Sequence, residues 1–138
     1  MYLTMNTLLF DDEVKEALDN LAELVEVGLD AVIVQDVGLA TTIHEIFPKL
    51  PLHASTQMTI YNLDGIKVLE SLGFSRAVLA RELTLEEIRY IRENTKMELE
   101  VFVHGAVCIS YSGNCQLSNF IGNRSSNRGC CAQPCRLT

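Results

Sequence analysis

Residues 52–82, LHASTQMTIYNLDGIKVLESLGFSRAVLARE, hold a complete strand, helix and strand pattern. Residues 52–56 form an aliphatic run too short for a buried helix and read as a strand. Ile66, Leu69 and Leu72 follow as an apolar stripe at helical spacing that stops at Gly73, and residues 76–80 are strand-like again. A helical crossover between two strands forces them parallel. The same beat continues outward in both directions: residues 2–7 and 31–35 precede this unit and residues 99–103 follow it. Val14, Leu18, Leu21 and Val25 supply the first helix, with Asp11 or Asp12 placed to cap it and Gly28 to end it. Residues 37–47 form a weaker helix closed by Pro48, and Thr84-Leu85-Glu86-Glu87 has capping-box spacing, with Leu85, Ile88 and Ile91 expected to supply the buried face that follows. The expected fold class is α/β, built of parallel βα units.

At 138 residues the chain is one domain by length. A closed (β/α) barrel takes eight such units and about 250 residues, whereas a doubly wound open sheet is complete with about five, so length favours the open sheet. The strand ends favour the barrel. Asn6 follows the first strand, Gln35 and Asp36 the second, Ser55, Thr56 and Gln57 the third, Arg81 and Glu82 the fourth, and His104 the fifth. Carboxyl ends of parallel strands share one face, and that face carries the active site, so these side chains are expected to converge.

Charge divides the chain after residue 103. Residues 1–103 hold all 18 acidic residues and all but three of the 11 basic ones; residues 104–138 hold only Arg124, Arg128 and Arg136. All five cysteines lie in that second segment, at 108, 115, 130, 131 and 135. The division expected is a βα-repeat part, 1–103, and a cysteine-rich loop segment of the same domain, 104–138. An odd cysteine count without an export signal disfavours a disulfide framework. Zinc, an iron-sulfur cluster or buried free thiols remain open on spacing alone. Cys130 and Cys131 are adjacent and point apart, so one of them is expected to be spare. No apolar run reaches a bilayer-spanning length, and the first ten residues have no basic stretch ahead of an apolar one, which points to a cytoplasmic protein with no membrane partner.

The run Glu100-Val101-Phe102-Val103-His104-Gly105-Ala106-Val107-Cys108, continuing Ile109-Ser110-Tyr111-Ser112-Gly113-Asn114-Cys115-Gln116-Leu117-Ser118, resembles the signature of the peptidase U32 family, also called collagenase-like proteases. Gly122-Asn123-Arg124-Ser125, Asn127-Arg128-Gly129 and Cys131-Ala132-Gln133-Pro134-Cys135-Arg136 resemble the segment that follows it there. Weaker likeness extends through residues 32–36, 53–58 and 79–83. The resemblance implies a (β/α) TIM-barrel-like catalytic domain and a 4Fe-4S cluster with ligands Cys108, Cys115, Cys131 and Cys135. It further implies hydroxylation of a base in transfer or 23S ribosomal RNA, with prephenate as a required co-substrate. The wording of the cysteine loop is most like the ribosomal RNA branch. The family barrel begins with roughly two further βα units, so this chain is expected to be an incomplete barrel of about five strands. Such a chain should associate with itself or with the missing N-terminal units.

Three functions compete. For RNA hydroxylation, Glu100, Glu82, His104 and Arg81 are candidate catalytic residues. Asn6, Gln35, Asp36, Ser55, Gln57, Arg124 and Arg128 are candidate substrate-binding residues, the arginines facing phosphates or bridging loop carbonyls. The second function is a collagenase-like peptidase. His44-Glu45 lacks a second histidine at metalloprotease spacing and no Gly-x-Ser-x-Gly elbow occurs, which leaves a cysteine nucleophile with His104 or His53 as base. That role conflicts with using Cys108 as a ligand. A non-catalytic module stabilised by metal is the third.

Overall fold

The structure is a computed structural model that describes residues 1–105 and 108–137. Five strands alternate with helices: β1 (Tyr2–Met5), α1 (Asp11–Val27), β2 (Ala31–Val34), α2 (Val37–Ile46), β3 (Leu52–Ala54), α3 (Leu63–Ser71), β4 (Phe74–Val78), α4 (Leu85–Glu93) and β5 (Glu98–Glu100). A short helix, α5 (Leu117–Gly122), follows within the cysteine segment. All strands pair in parallel and lie in the order β1-β2-β3-β4-β5.

The register separates the two faces of the sheet. Side chains alternate along a strand, so Val32 and Val34, Leu52 and Ala54, and Ala77 and Leu79 share one face. These residues form a single core with Leu21 of α1, Leu39 and Ile43 of α2, Ile66 and Leu69 of α3, and Ile91 of α4. Each of α1 to α4 therefore packs on the same side. Burying an aliphatic side chain contributes about 1.5–3 kcal/mol, so this layer is the main source of stability. The opposite face carries Tyr2, Thr4, Ile33, His53, Arg76, Glu98 and Glu100, and Tyr2 is 51% exposed.

Sequential strand order with helices on one face is the arrangement of consecutive βα units in a barrel wall. A doubly wound sheet reverses its order and carries helices on both faces, so the expectation drawn from length is corrected. The uncovered face carries an ion-paired arginine. Arg76 donates to Glu98 at 2.7 and 2.9 Å and to Glu100 at 3.4 Å, and its guanidinium lies 5.6 Å from the Tyr2 ring. His53 is buried beneath Tyr2, ring centroids 5.1 Å apart, with Nδ1 unpartnered. Burial pushes its pKa below the ordinary histidine value, and the nearby Arg76 adds to the effect.

Local expectations met the structure unevenly. The capping box at α4 is present, Thr84 Oγ1 accepting from the Glu87 amide at 3.3 Å and Glu87 accepting from the Thr84 amide at 2.8 Å. Ile88 and Ile91 pack on the core as expected, but Leu85, the first residue of the helix, is 74% exposed. Gly28 ends α1 in the left-handed conformation. Asp11 and Asp12 do not cap α1 but stand in its first turn, where their charge favours the helix N-terminus, and Phe10 takes the cap position. β4 begins two residues earlier than its aliphatic run, because Phe74 also turns into the core.

Candidate functional site

The carboxyl ends of β3 and β4 hold the first half of the cysteine segment. After β3, buried Ser55 accepts from the Gln57 amide at 3.2 Å and opens a 3-10 turn, Thr56–Met58. Thr56 Oγ1 donates to the Leu79 carbonyl at 3.1 Å. Thr59 then takes φ +57, a left-handed conformation rare for a β-branched residue. Contacts to the cysteine loop hold it there: Thr59 Oγ1 donates to the Ser112 carbonyl at 2.5 Å and accepts from Asn114 Nδ2 at 2.9 Å. Beyond β4, Arg81 donates to the carbonyls of Cys108 and Ser110, both at 3.0 Å. Glu82 accepts from the Ser112 amide at 2.9 Å and from its hydroxyl. Gly113, at φ +75, lies so close to the turn after β3 that a Cβ there would sit 2.1 Å from the Gln57 carbonyl oxygen.

The second half of the segment is anchored elsewhere. Ser126 Oγ donates to the Cys115 carbonyl at 2.6 Å, and the Ala132 amide donates to Ser118 Oγ at 3.0 Å. Arg128 reaches back to the start of α1: it donates to the Leu8 carbonyl at 2.8 Å and to Glu13 Oε2 at 3.0 Å, pairs with Glu13 Oε1, and lies 4.8 Å from the Phe10 ring. The Arg128 hydrogen bond, helped by the Phe10 amide, holds the Glu13 carboxyl below the usual carboxylate range.

Between these two halves lies a pocket of about 250 Å³. Cys108, Cys115, Cys131 and Cys135 line it together with Thr56, Gln57 and Arg81, while Cys130 does not. All five thiols are free. Among the described residues, no three His, Cys, Asp or Glu side chains converge on one ion position. A single zinc ion needs four donors drawn in to about 2.3 Å, whereas a four-iron cluster takes one thiolate per iron and occupies the space between them. The donor set lining this pocket is soft and free of carboxylates, a chemistry suited to a thiolate-bound metal group.

A family model described as peptidase family U32 matches residues 1–138. The chain belongs to the peptidase U32 family. It is 44% identical over 137 residues to the 23S rRNA 5-hydroxycytidine C2501 synthase of Escherichia coli strain K12, covering 99% of this chain and 20% of that protein. The tRNA hydroxylation protein P of the same strain is 41% identical over 98% of this chain and 30% of its own length. A protein named collagenase from Porphyromonas gingivalis is 33% identical, over 98% and 34%. The chain therefore spans a fifth to a third of these relatives. A solved U32 peptidase superposes with a TM-score of 0.58 at 24% identity, over 71% of this chain and 39% of that one, and shares the fold.

Within this U32 chain the expected site residues separate into groups. Gln57 and Arg81 line the pocket, Glu82 and Ser55 brace its walls, and Gln35 is buried behind Gln57, donating to its carbonyl at 3.4 Å. The Oε1 atoms of Gln35 and Gln57 are buried without partners. Asp36 is occupied otherwise: its carboxylate caps α2 through the Leu39 amide at 2.9 Å and accepts from the Leu9 amide at 3.2 Å. Arg128 is likewise engaged, by the Leu8 carbonyl and Glu13. Glu100 faces Arg76 on the open side of the sheet, and Asn6 and His104 stay outside the pocket. Arg124 is exposed just past α5. Glu13, Thr59 and Ser112 were not singled out as site residues by sequence, because each acts through long-range bonds that no local pattern encodes.

No helix among the described residues is long and apolar enough to cross a membrane.

Proposed function

We propose that this chain is the cluster-bearing, substrate-facing part of an RNA base hydroxylase acting on transfer or ribosomal RNA in the cytoplasm. The carrying observation is that Cys108, Cys115, Cys131 and Cys135 line one pocket together at the carboxyl ends of β3 and β4. Those four residues would hold a 4Fe-4S cluster, which supplies one-electron chemistry when bound. Arg81 fixes the carbonyls beside Cys108, and Glu82 fixes Ser112, so the thiols are presented by a braced loop. The relatives named for rRNA and tRNA hydroxylation support the substrate class. Prephenate is the proposed co-substrate. An acid-free segment beside an acidic body favours a polyanion on the cysteine side, with Arg124 exposed to meet a phosphate.

The peptidase reading rests on the relative named collagenase. It requires a thiolate beside a histidine, yet none of His44, His53 and His104 lines the cysteine pocket. Nucleoside mass spectrometry decides between the two. RNA from a hydroxylase-deficient host carrying a full-length parent with this segment should gain a hydroxylated base, and substituting Cys115→Ser should abolish the gain. Cleavage of a collagen-like peptide that survives iron removal, without RNA hydroxylation, would overturn the proposal.

A further inference from the structure

Next to the cysteine pocket lies a second cavity, of about 280 Å³, lined by Arg81, Glu82, Cys108, Ile109, Ser110 and Tyr111. Arg81, Cys108 and Tyr111 line both cavities, so the two share a wall that contains one of the cluster-ligand candidates. The wall is braced. Arg81 donates at 3.0 Å to the carbonyls on both sides of Ile109, and Glu82 receives the Ser112 amide at 2.9 Å. Tyr111 is held in its loop, since its carbonyl accepts from the Asn114 amide at 3.1 Å, yet its side chain leaves the residue 68% exposed. Ile109, two positions earlier, is 83% exposed.

We propose that this second cavity seats a flipped-out pyrimidine base of an RNA strand, stacked on Tyr111. The inference rests on the RNA reading of the cysteine site and names where the reacting base would sit. An unstacked base needs an exposed planar surface, a partner for its Watson–Crick edge and a phosphate-tolerant surround. Tyr111 supplies the plane. Glu82 Oε2 takes only a 3.2 Å contact from Ser112 Oγ, which leaves acceptor capacity for a ring or exocyclic N–H of a pyrimidine. No acidic residue occurs in the segment carrying Tyr111, so Glu82, which faces the base, is the one carboxylate among the described residues that line the cavity, and Arg81 lines it beside Glu82. The shared wall brings such a base alongside Cys108, where redox chemistry at the first pocket could reach it.

Anisotropy of a short labelled oligocytidylate tests the seat on the full chain. Loss of one base stack weakens single-strand binding about 5- to 150-fold, so Tyr111→Ala should raise the Kd within that range and Tyr111→Phe should leave it near wild type. Phe120 is the control, being 86% exposed in the same acid-free segment and lining neither cavity. Its replacement by alanine should change Kd less than about threefold. Equal losses for Tyr111→Ala and Phe120→Ala, or an unchanged Tyr111→Ala, would overturn the seat while leaving RNA binding intact. Absence of oligonucleotide binding by the wild-type chain would overturn the RNA reading itself, and the seat with it.

Discussion

Substituting Gly113→Ala should detach the cysteine loop from the sheet, and Gly129→Ala serves as its matched control. The two glycines have nearly equal φ, +75 and +74. An L-residue in that region costs about 1–2 kcal/mol at either site. Only their surroundings differ. A Cβ at Gly129 meets nothing within 4 Å, whereas one at Gly113 lies 2.1 Å from the Gln57 carbonyl oxygen and 2.9 Å from its carbonyl carbon and Cα. Opening that gap from 2.1 Å to an ordinary 3.4 Å moves the loop by about 1.3 Å against rigid backbone. Such a shift breaks the Thr59 to Ser112 bond at 2.5 Å and the Asn114 to Thr59 bond at 2.9 Å. Each lost bond costs roughly 0.5–1.5 kcal/mol, giving roughly 2–5 kcal/mol for Gly113→Ala against about 1–2 for Gly129→Ala. The loss is local, so it should be read by hydrogen exchange at the Ser112 amide, which is bound to Glu82. Exchange there should quicken by about 30-fold or more in Gly113→Ala, while amides of β2 to β4 keep their protection. Gly129→Ala should leave the Ser112 amide unchanged. Equal responses at that amide in both variants would refute the close-approach reasoning.

His53 makes stability depend on pH. Its folded pKa lies below its unfolded value because of burial, so the unfolded chain binds the extra proton first, and stability falls as pH drops below about 6.5. Urea unfolding across that range should show the slope, and His53→Gln should flatten it; an unchanged slope would contradict the assignment. Arg128→Ala should free the second half of the cysteine segment, raising exchange at the Ala132 amide while the sheet stays protected, and a charge-swapped Glu13→Arg, Arg128→Glu pair should restore part of the loss. β1 and β5 each have one strand neighbour, so sedimentation at low micromolar concentration should show association, and a well-behaved monomer would count against open edges.

Periodicity made the βα alternation readable, since Leu18, Leu21 and Val25, then Ile66 and Leu69, mark helix faces without outside help. Strand order was not readable from length, because five units suit either an open sheet or a barrel wall; the one-sided helix layer excludes the doubly wound sheet. Helix α5 escaped notice for a physical reason. It hides Ser118 and exposes Leu117, Phe120 and Ile121, the reverse of the usual pattern. Cysteine spacing left open which of Cys130 and Cys131 is spare; the family resemblance implied Cys131 as the ligand, and Cys130 stands outside the pocket that the other four line. Roles of single polar residues were the least readable part. Asp36, expected at a strand end beside the substrate, caps α2, and Arg128, expected to face phosphates or to bridge loop carbonyls, binds the Leu8 carbonyl and pairs with Glu13, 115 positions away.

Iron, sulfide and zinc analysis of the anaerobically purified chain and three variants tests whether the four cysteines hold a cluster. A brown protein with iron and sulfide in equal amounts is expected, its colour retained in Cys130→Ser and lost in Cys115→Ser and Cys131→Ser. A colourless anaerobic sample with stoichiometric zinc, or equal loss in all three variants, would contradict it.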